Sequence, residues 1–598
     1  MLATIAIVAE QPAAADGNGQ SASESSRPTI VCEGSGLGSP YIPVDSWVYP
    51  AVLRLYSMGY GDHVYLGMRP WTRASLSYML EDVGSQIEEA NAYEDSAAGD
   101  AQDIYVALSR LLHYNAEMQC LTHHGISHVE SVYSVARVIS GTPLRDSYHL
   151  GSTVINDYGR PIANGFSNYS GASGYATSRR FCLYVRGEFR GTPSFTAYSR
   201  SLAQALSAID GTTFLNTYTG LPYSQATIPT GQIAANTDGR FIEAYLSAHV
   251  FNHEISFGKQ DDWLGPGLGG GMAYSNNAEN IYSFRINRVE PLQIPLLSQV
   301  TGPFRYEFLI GSLRGHTYMP NPANPEGTNS NLANVINPGD PWVHLEKISF
   351  RPTANLEFGF ERTAIWGGRG HGPITLHSFI KSFFSFASPG GNGKLGRNDP
   401  GARFGAFDFS YRLPLARNYL TLYADSEVHD DVSPIDAPHR AAWRPGIYLS
   451  HFPGFPKLDI RAEAATTDPS SSNGASQYGR FMYYEAIQKQ GYTNQGQLLG
   501  DWIGREDKGG QGWITYHLSG NEWLQLAMRN QKATTYFIPG GTTLNEISFQ
   551  TIKRIGRDIE INGNFSYGRW KAPIYLSGQQ TATTTTIRVT WFPEKVGR

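Results

Sequence analysis

The chain has 598 residues with 64 Gly and 35 Tyr, and only 17% of it is charged, against roughly 25% in soluble domains. A net charge of −5 without any Lys/Arg run excludes a nucleic-acid-binding face. Three cysteines (Cys32, Cys120, Cys182) and no CxxC exclude a disulfide scaffold and leave at least one thiol unpaired. No window holds the roughly 18 apolar residues that a membrane-spanning helix needs. A membrane barrel stays open, because it hides its apolarity by alternation.

In chain order, the apolar run Met-Leu-Ala-Thr-Ile-Ala-Ile-Val-Ala and then Ala13, Ala14 and Ala15 read as a signal-peptide remnant lacking its positive n-region. A disordered tail is the alternative. Residues 1–40 are therefore taken as signal remnant and disordered lead, poor in apolar groups. Asp45 and Ser46 are positioned to cap a helix running toward Met58, with Gly59 as its stop and Val48, Val52, Leu55 and Tyr56 at helical spacing. A second helix follows Trp71, with Leu76, Met79, Leu80, Val83 and Ile87 on one face. A third spans about 101–117 with Ile104, Leu108, Leu111 and Leu112. These three make a small bundle over 41–120.

From Ile126 the period changes to two, as in Leu356-Glu-Phe-Gly-Phe-Glu-Arg, Tyr419-Leu-Thr-Leu-Tyr-Ala-Asp and Glu546-Ile-Ser-Phe-Gln-Thr-Ile. Strand-like runs continue to the end. They are separated alternately by short turns and by long Gly/Pro/Asn/Ser loops at 211–240, 319–341, 388–400, 429–440 and 466–480. A transmembrane barrel needs this alternation, with about 18 to 20 strands here and an even number in bacterial single-chain barrels. The fold class expected is mainly β: an antiparallel outer-membrane β-barrel of about 18 strands over 121–598, preceded by the helical bundle. A soluble multi-sheet domain is the competing reading.

Segments spread over most of the chain resemble the capsule assembly Wzi family. They are Tyr41-Ile-Pro-Val-Asp-Ser-Trp, Phe257-Gly-Lys-Gln-Asp-Asp-Trp-Leu-Gly-Pro-Gly, Phe284-Arg-Ile-Asn-Arg-Val-Glu-Pro, His344-Leu-Glu-Lys-Ile-Ser-Phe-Arg-Pro and Gly500-Asp-Trp-Ile-Gly-Arg-Glu. The resemblance implies an outer-membrane lectin that anchors exported capsular polysaccharide or exopolysaccharide at the cell surface, its helices plugging the periplasmic mouth. It implies binding and no catalysis. The partners expected are the polysaccharide, outer-membrane lipid and export machinery docking on the helices, for a monomer with no nucleic-acid partner. An outer-membrane porin for sugars or small solutes is the alternative, and a barrel hydrolase is the third.

The residues themselves offer candidates. Trp263, Trp366 and Trp502 each adjoin Gly and charged groups, a setting in which a sugar's apolar face could stack on a ring. For any one of them, wall packing is the alternative. Arg288 and Glu290 share a strand face, which is placed in the lumen because charge on the lipid face is costly. Arg285 has the opposite parity and joins them only through a bulge. Lys259 is expected to face the lumen from a neighbouring strand. Trp263, Trp366, Trp502, Lys259, Arg285 and Arg288 are thus the candidate polysaccharide-binding residues, with wall-bracing by the charges as the alternative. Gly265, Gly267, Gly269, Gly270 and Gly271 lack the strand-then-helix context of a phosphate cradle and read as a constriction or as loop packing against the barrel wall. His123, His124 and His128, and the acidic loop around His429–Asp431, lack a ligand constellation. No Gly-x-Ser-x-Gly elbow stands out. No metal, cofactor or catalytic residue is assigned.

Overall fold

The computed structural model describes residues 37–92, 97–121, 126–211, 231–314, 341–367, 373–384, 398–452, 454–468, 479–485 and 490–593. Residues 1–36 with most of the expected signal remnant and lead, Cys32 among them, the Cys120 side chain, His123 and His124 lie outside these described residues.

Eighteen strands close into a barrel. They are β1 Ile126–Gly141, β2 Gly165–Ser178, β3 Phe181–Thr192, β4 Asn236–Val250, β5 His253–Lys259 and β6 Tyr282–Arg288. Then come β7 Phe304–Ser312, β8 Trp342–Thr353, β9 Leu356–Trp366, β10 Ala402–Arg412, β11 Leu420–His429 and β12 Ala442–Leu449. The last six are β13 Leu458–Thr466, β14 Asp507–Ser519, β15 Glu522–Ala533, β16 Thr542–Ile555, β17 Ile559–Ala572 and β18 Leu576–Trp591. Each pairs antiparallel with its sequence neighbours, and β1 closes the ring on β18 through Val132↔Trp591 to Gly141↔Ala582. Closure leaves no unpaired edge.

The alternation seen in sequence is inside-out. Along β16, Ile547 and Phe549 point outward and are each 46% exposed, while Glu546, Ser548 and Gln550 point into the lumen. The same holds for Phe565 on β17 and Ile587 on β18. A water-soluble sheet would bury these apolar side chains. Most turns at one end are short, the tightest comprising residues 179–180, 251–252, 354–355, 520–521 and 556–558, whereas the other end carries 142–164, 193–235, 260–281 and 467–506.

The helices seat in the short-turn end. They are α1 Val48–Ser57, α2 Arg73–Met79, α3 Val83–Ala92 and α4 Ala98–Leu121. Val48, Val52, Leu55, Leu76, Val83, Ile87, Ile104 and Leu108 form one buried core, completed by the wall residues Tyr423 and Tyr448. The expected second helix is two, interrupted around Leu80–Asp82, although its apolar face is buried as read. Ser46 Oγ accepts from Val48 N at 3.3 Å, but the N-cap of α1 is Trp47 without a side-chain bond, and α1 is not capped by Asp45. Its carboxylate instead bridges Arg186 at 2.7 Å and Arg588 at 3.1 Å on the wall, a stronger claim than one backbone N–H. Ser57 and Tyr65 dock on turns and strand ends: Thr421 bonds Ser57 Oγ at 2.9 Å, Ser450 donates to Ser57 O at 3.0 Å, and Tyr65 donates to Pro303 O at 2.8 Å.

Three further helices occupy connections. They are α5 Arg200–Ile209, α6 Ser298–Thr301 and α7 Leu376–Phe384. Sequence reading left α5 and α7 unassigned. α5 buries Leu202, Ala203 and Leu206 and is capped by Ser199, which accepts from Leu202 N at 3.2 Å. α7 lies on the outer face of β7–β9. Its Phe379 and Phe383 pack on the outward-facing Phe308 and His344, and Ser382 bonds His344 Nε2 at 2.7 Å. Leu376, Ile380 and Phe384 turn away from the wall, 74%, 45% and 65% exposed.

Candidate functional site

The lumen is divided between a filled half and an open half. The segment 260–281, whose glycines 265–271 are expected to form a constriction or to pack against the barrel wall, runs inside the barrel and is stitched to the bundle by a short ribbon, Met68–Arg69 against Trp263–Leu264. Wall carboxylates hold it by accepting from its backbone. Glu463 accepts from Leu268 N at 2.8 Å and Gly269 N at 3.1 Å, and Asp425 from Met272 N at 2.6 Å. Glu357 does the same for Leu66 and Gly67 of the bundle at 2.6 and 3.1 Å. Backbone N–H groups taken out of water need such acceptors. Glycine at 271 is required by space, since a Cβ there would strike the carbonyls of Leu264 and Tyr274.

The open half is a cavity of about 430 Å³ against β13–β18 and β1. It is bounded at the helix end by α1 and the Gly520–Asn521 turn, and at the loop end by 153–158 and by Leu268 and Gly269. The strand register lays inward side chains in rows across it. One row runs Asp459, Thr515, Gln525, Gln550, Asn564, Thr586 and Arg137, each directly opposite the next. The adjacent row runs Arg461, Trp513, Ala527, Ser548, Ser566 and Thr584. Neutral hydroxyls and amides in register offer paired donors and acceptors. Arginines flank them: Arg137 and Arg160 meet Asp157 at 2.7 Å each, and Arg529 meets Glu546 at 3.0 Å.

The residues singled out from sequence do not converge on this cavity. Trp263 is 5% exposed and lies against the Arg69 guanidinium. Trp502 is fully buried between Arg444 and Arg529, 5.7 and 5.1 Å from their guanidinium carbons, and its Nε1 donates to Gln511 at 3.2 Å. Trp366 is on the outward face of β9 beneath α7, 5.9 Å from Phe379. In this conformation none of the three rings presents a free face. Lys259 is buried and paired with Glu279 at the end of β5. The expected parity of β6 is reversed. Ser283, Arg285 and Asn287 face the lumen, where Arg285 lies 3.5 Å from Asp262 and 3.4 Å from Glu307. Arg288 faces outward at the hairpin, donating to Glu290 O at 2.8 Å and Phe251 O at 3.3 Å, so it can lie beyond the strand's apolar stretch.

A second polar centre is built by the long loops. His149 Nδ1 meets Asp146 at 3.0 Å and its Nε2 meets Asp210 at 2.9 Å; Arg505 meets Asp210 at 2.7 Å and Tyr198 donates to Asp146 at 2.8 Å. Burial opposes the His149 cation, but the two carboxylates prevail and hold its pKa up at about 9. Burial likewise opposes the Asp210 carboxylate, yet Arg505 and His149 bring it down to about 2. The cluster pins α5 to the 142–164 and 467–506 connections.

Fold and lumen together define a closed antiparallel barrel with an internal plug and a polar lumenal cavity. The chain belongs to the capsule assembly protein Wzi family, whose model matches residues 134–585. The solved Escherichia coli protein Wzi, described as an outer membrane protein involved in group 1 capsule assembly and a carbohydrate-binding β-barrel, is 17% identical. It superposes with a TM-score of 0.59 over 93% of this chain and 99% of its own, a likeness of fold. An uncharacterized 55.8 kDa protein in the cps region of Klebsiella pneumoniae is 25% identical over 191 residues, 32% of this chain. The chain spans about a third (33%) of the length of that curated relative.

Proposed function

We propose that this protein resides in the outer membrane and anchors exported polysaccharide at the cell surface by binding, without turnover. The observation that carries the reading is the barrel itself, apolar outside and half filled inside. Phe549, Phe565 and Ile587 suit a lipid-facing band, while the helices and the 260–281 segment leave no need for a free diffusion path. The family and the carbohydrate-binding barrel of Escherichia coli support sugar as the ligand. The neutral hydroxyl and amide rows of the cavity suit sugar hydroxyls, and weak contacts repeated along a polymer would sum to firm retention. Residues 41–120 act as the periplasmic plug and 121–598 as the barrel. Trp263, Trp366 and Trp502 then serve as wall and plug packing, and the aromatics lining the cavity are Trp47, Tyr158, Tyr448, Trp513 and Trp523. A gene deletion tests the reading. Cell-attached polymer should fall while polymer in the medium rises; if neither pool changes, anchoring is wrong and steady ion conductance in planar bilayers becomes the next measurement.

A further inference from the structure

We propose that Arg461 anchors a lumenal subsite for an acidic saccharide, a sugar bearing one carboxylate of the uronic-acid class. The proposal rests on the polysaccharide-binding reading and goes beyond it in naming the ligand chemistry and the residue. On β13 the inward positions are Asp459, Arg461, Glu463 and Ala465. Asp459 is already engaged by His517 at 2.5 Å and by Tyr448 Oη at 3.1 Å. Glu463 is engaged by Arg444 and Tyr423, each at 2.7 Å, and by the backbone of the 260–281 segment. Arg461 lies between them with its guanidinium 3.9 Å from the centre of the Tyr448 ring and 3% exposed. Among the described residues it has no hydrogen-bond or ion-pair partner, and its Nε and Nη1 are buried without one. The other cavity-lining arginines are paired: Arg54 with Asp100, Arg137 and Arg160 with Asp157, Arg529 with Glu546, Arg588 with Asp45.

A buried guanidinium with free donors is costly unless something accepts from it. Its planar fork matches a carboxylate in two parallel hydrogen bonds. One arginine without a hydrogen-bonded partner matches a single carboxylate, since Asp45, Asp157 and Glu546 around the same cavity are already paired with other arginines. The surroundings suit the rest of a sugar. Trp513 stands directly opposite Arg461 in the register and is among the residues lining the cavity. Asn564 Oδ1 and Thr584 Oγ1 are buried acceptors without partners. The volume of about 430 Å³ lies within the roughly 300–1,000 Å³ of small-ligand sites.

The test is titration of purified full-length protein with trigalacturonate and with its carboxyl-reduced counterpart, followed by calorimetry. The wild type should bind the acid about tenfold or more tightly, the scale of a charge-assisted pair. Arg461→Gln should bring the acid down to the reduced sugar, and Arg461→Lys should keep part of the preference. Ser548→Trp, which fills the cavity without touching Arg461, should abolish both and keeps the test decisive if the glutamine variant fails to fold, as judged by heat-modifiable migration. Equal binding of both sugars by the wild type, binding of neither, or a preference that survives in folded Arg461→Gln overturns the subsite. Cells separate this from the wider reading. A deletion strain that sheds no polymer sinks the anchoring function. A deletion strain that sheds, alongside an Arg461→Gln strain with wild-type retention and discrimination, sinks the subsite alone.

Discussion

Two arginines three residues apart separate lumenal from outward chemistry. Arg285 is fully buried between Asp262 and Glu307, and Arg285→Ala should cost roughly 3–5 kcal/mol because it leaves both carboxylates facing a cavity. Arg288→Ala removes an outward hairpin contact and should stay within about 0.5 kcal/mol. The temperature at which the heat-modifiable band converts compares the two, and equal shifts would contradict the parity. The His149 cluster gives a pH dependence. The folded pKa of about 9 exceeds the ordinary histidine value, so its stabilisation is complete below about pH 6.5 and is lost as pH rises through 9. Asp210, lowered to about 2, contributes above about pH 4 and fails only as pH falls through 2. Proteolysis of the long loops should therefore accelerate between pH 7 and about 10 in the wild type and lose that dependence in His149→Asn.

At the scale of elements, the plug has two layers with different attachments. The bundle is held by an apolar core that includes Tyr423 and Tyr448, and the 260–281 segment by wall carboxylates on its backbone. Deleting 41–118 alone should raise bilayer conductance only slightly, and shortening 265–281 as well should open a steady pore. Full conductance from the first deletion would show that the inner segment depends on the bundle. α7 makes a separate case, because its exposed Leu376, Ile380 and Phe384 continue the barrel's apolar surface while its serines cover His344. Replacing those three by Ser should leave the fold intact and weaken partition of the protein into lipid vesicles.

For the whole molecule, the register turns a wall of unremarkable residues into an ordered polar surface lining the cavity. Thr515, Gln525, Gln550, Asn564 and Thr586 come from five strands and meet in one row only because each hairpin fixes its partner. Gln550→Leu together with Asn564→Leu should leave the barrel assembled and lower polysaccharide retention several-fold on cells, read as shed polymer. Unchanged retention would move sugar binding to the outer loops.

The sequence by itself determined the class. Period-two alternation such as Glu546-Ile-Ser-Phe-Gln, sparse charge, short turns opposite long loops and an apolar helical start are local properties that specify a barrel with a bundle. The bundle's buried face was legible residue by residue, because 3.6-residue spacing needs no knowledge of the partner. Only the tertiary structure decided the site. Arg285 and Arg288 exchanged roles because β6 parity depends on where the hairpin falls, and a slip of one residue reverses every face. Trp263, Trp366 and Trp502 were prominent in sequence but became packing, since flanking Gly and charge describe a buried plug as well as a sugar platform. α7 is not legible from the sequence because its apolar residues both pack on the outer wall and face away from it, leaving no single core-facing stripe. Arg461 is distinguished by what its neighbours leave unpaired, and pairing is a property of the closed ring, which no stretch of chain contains.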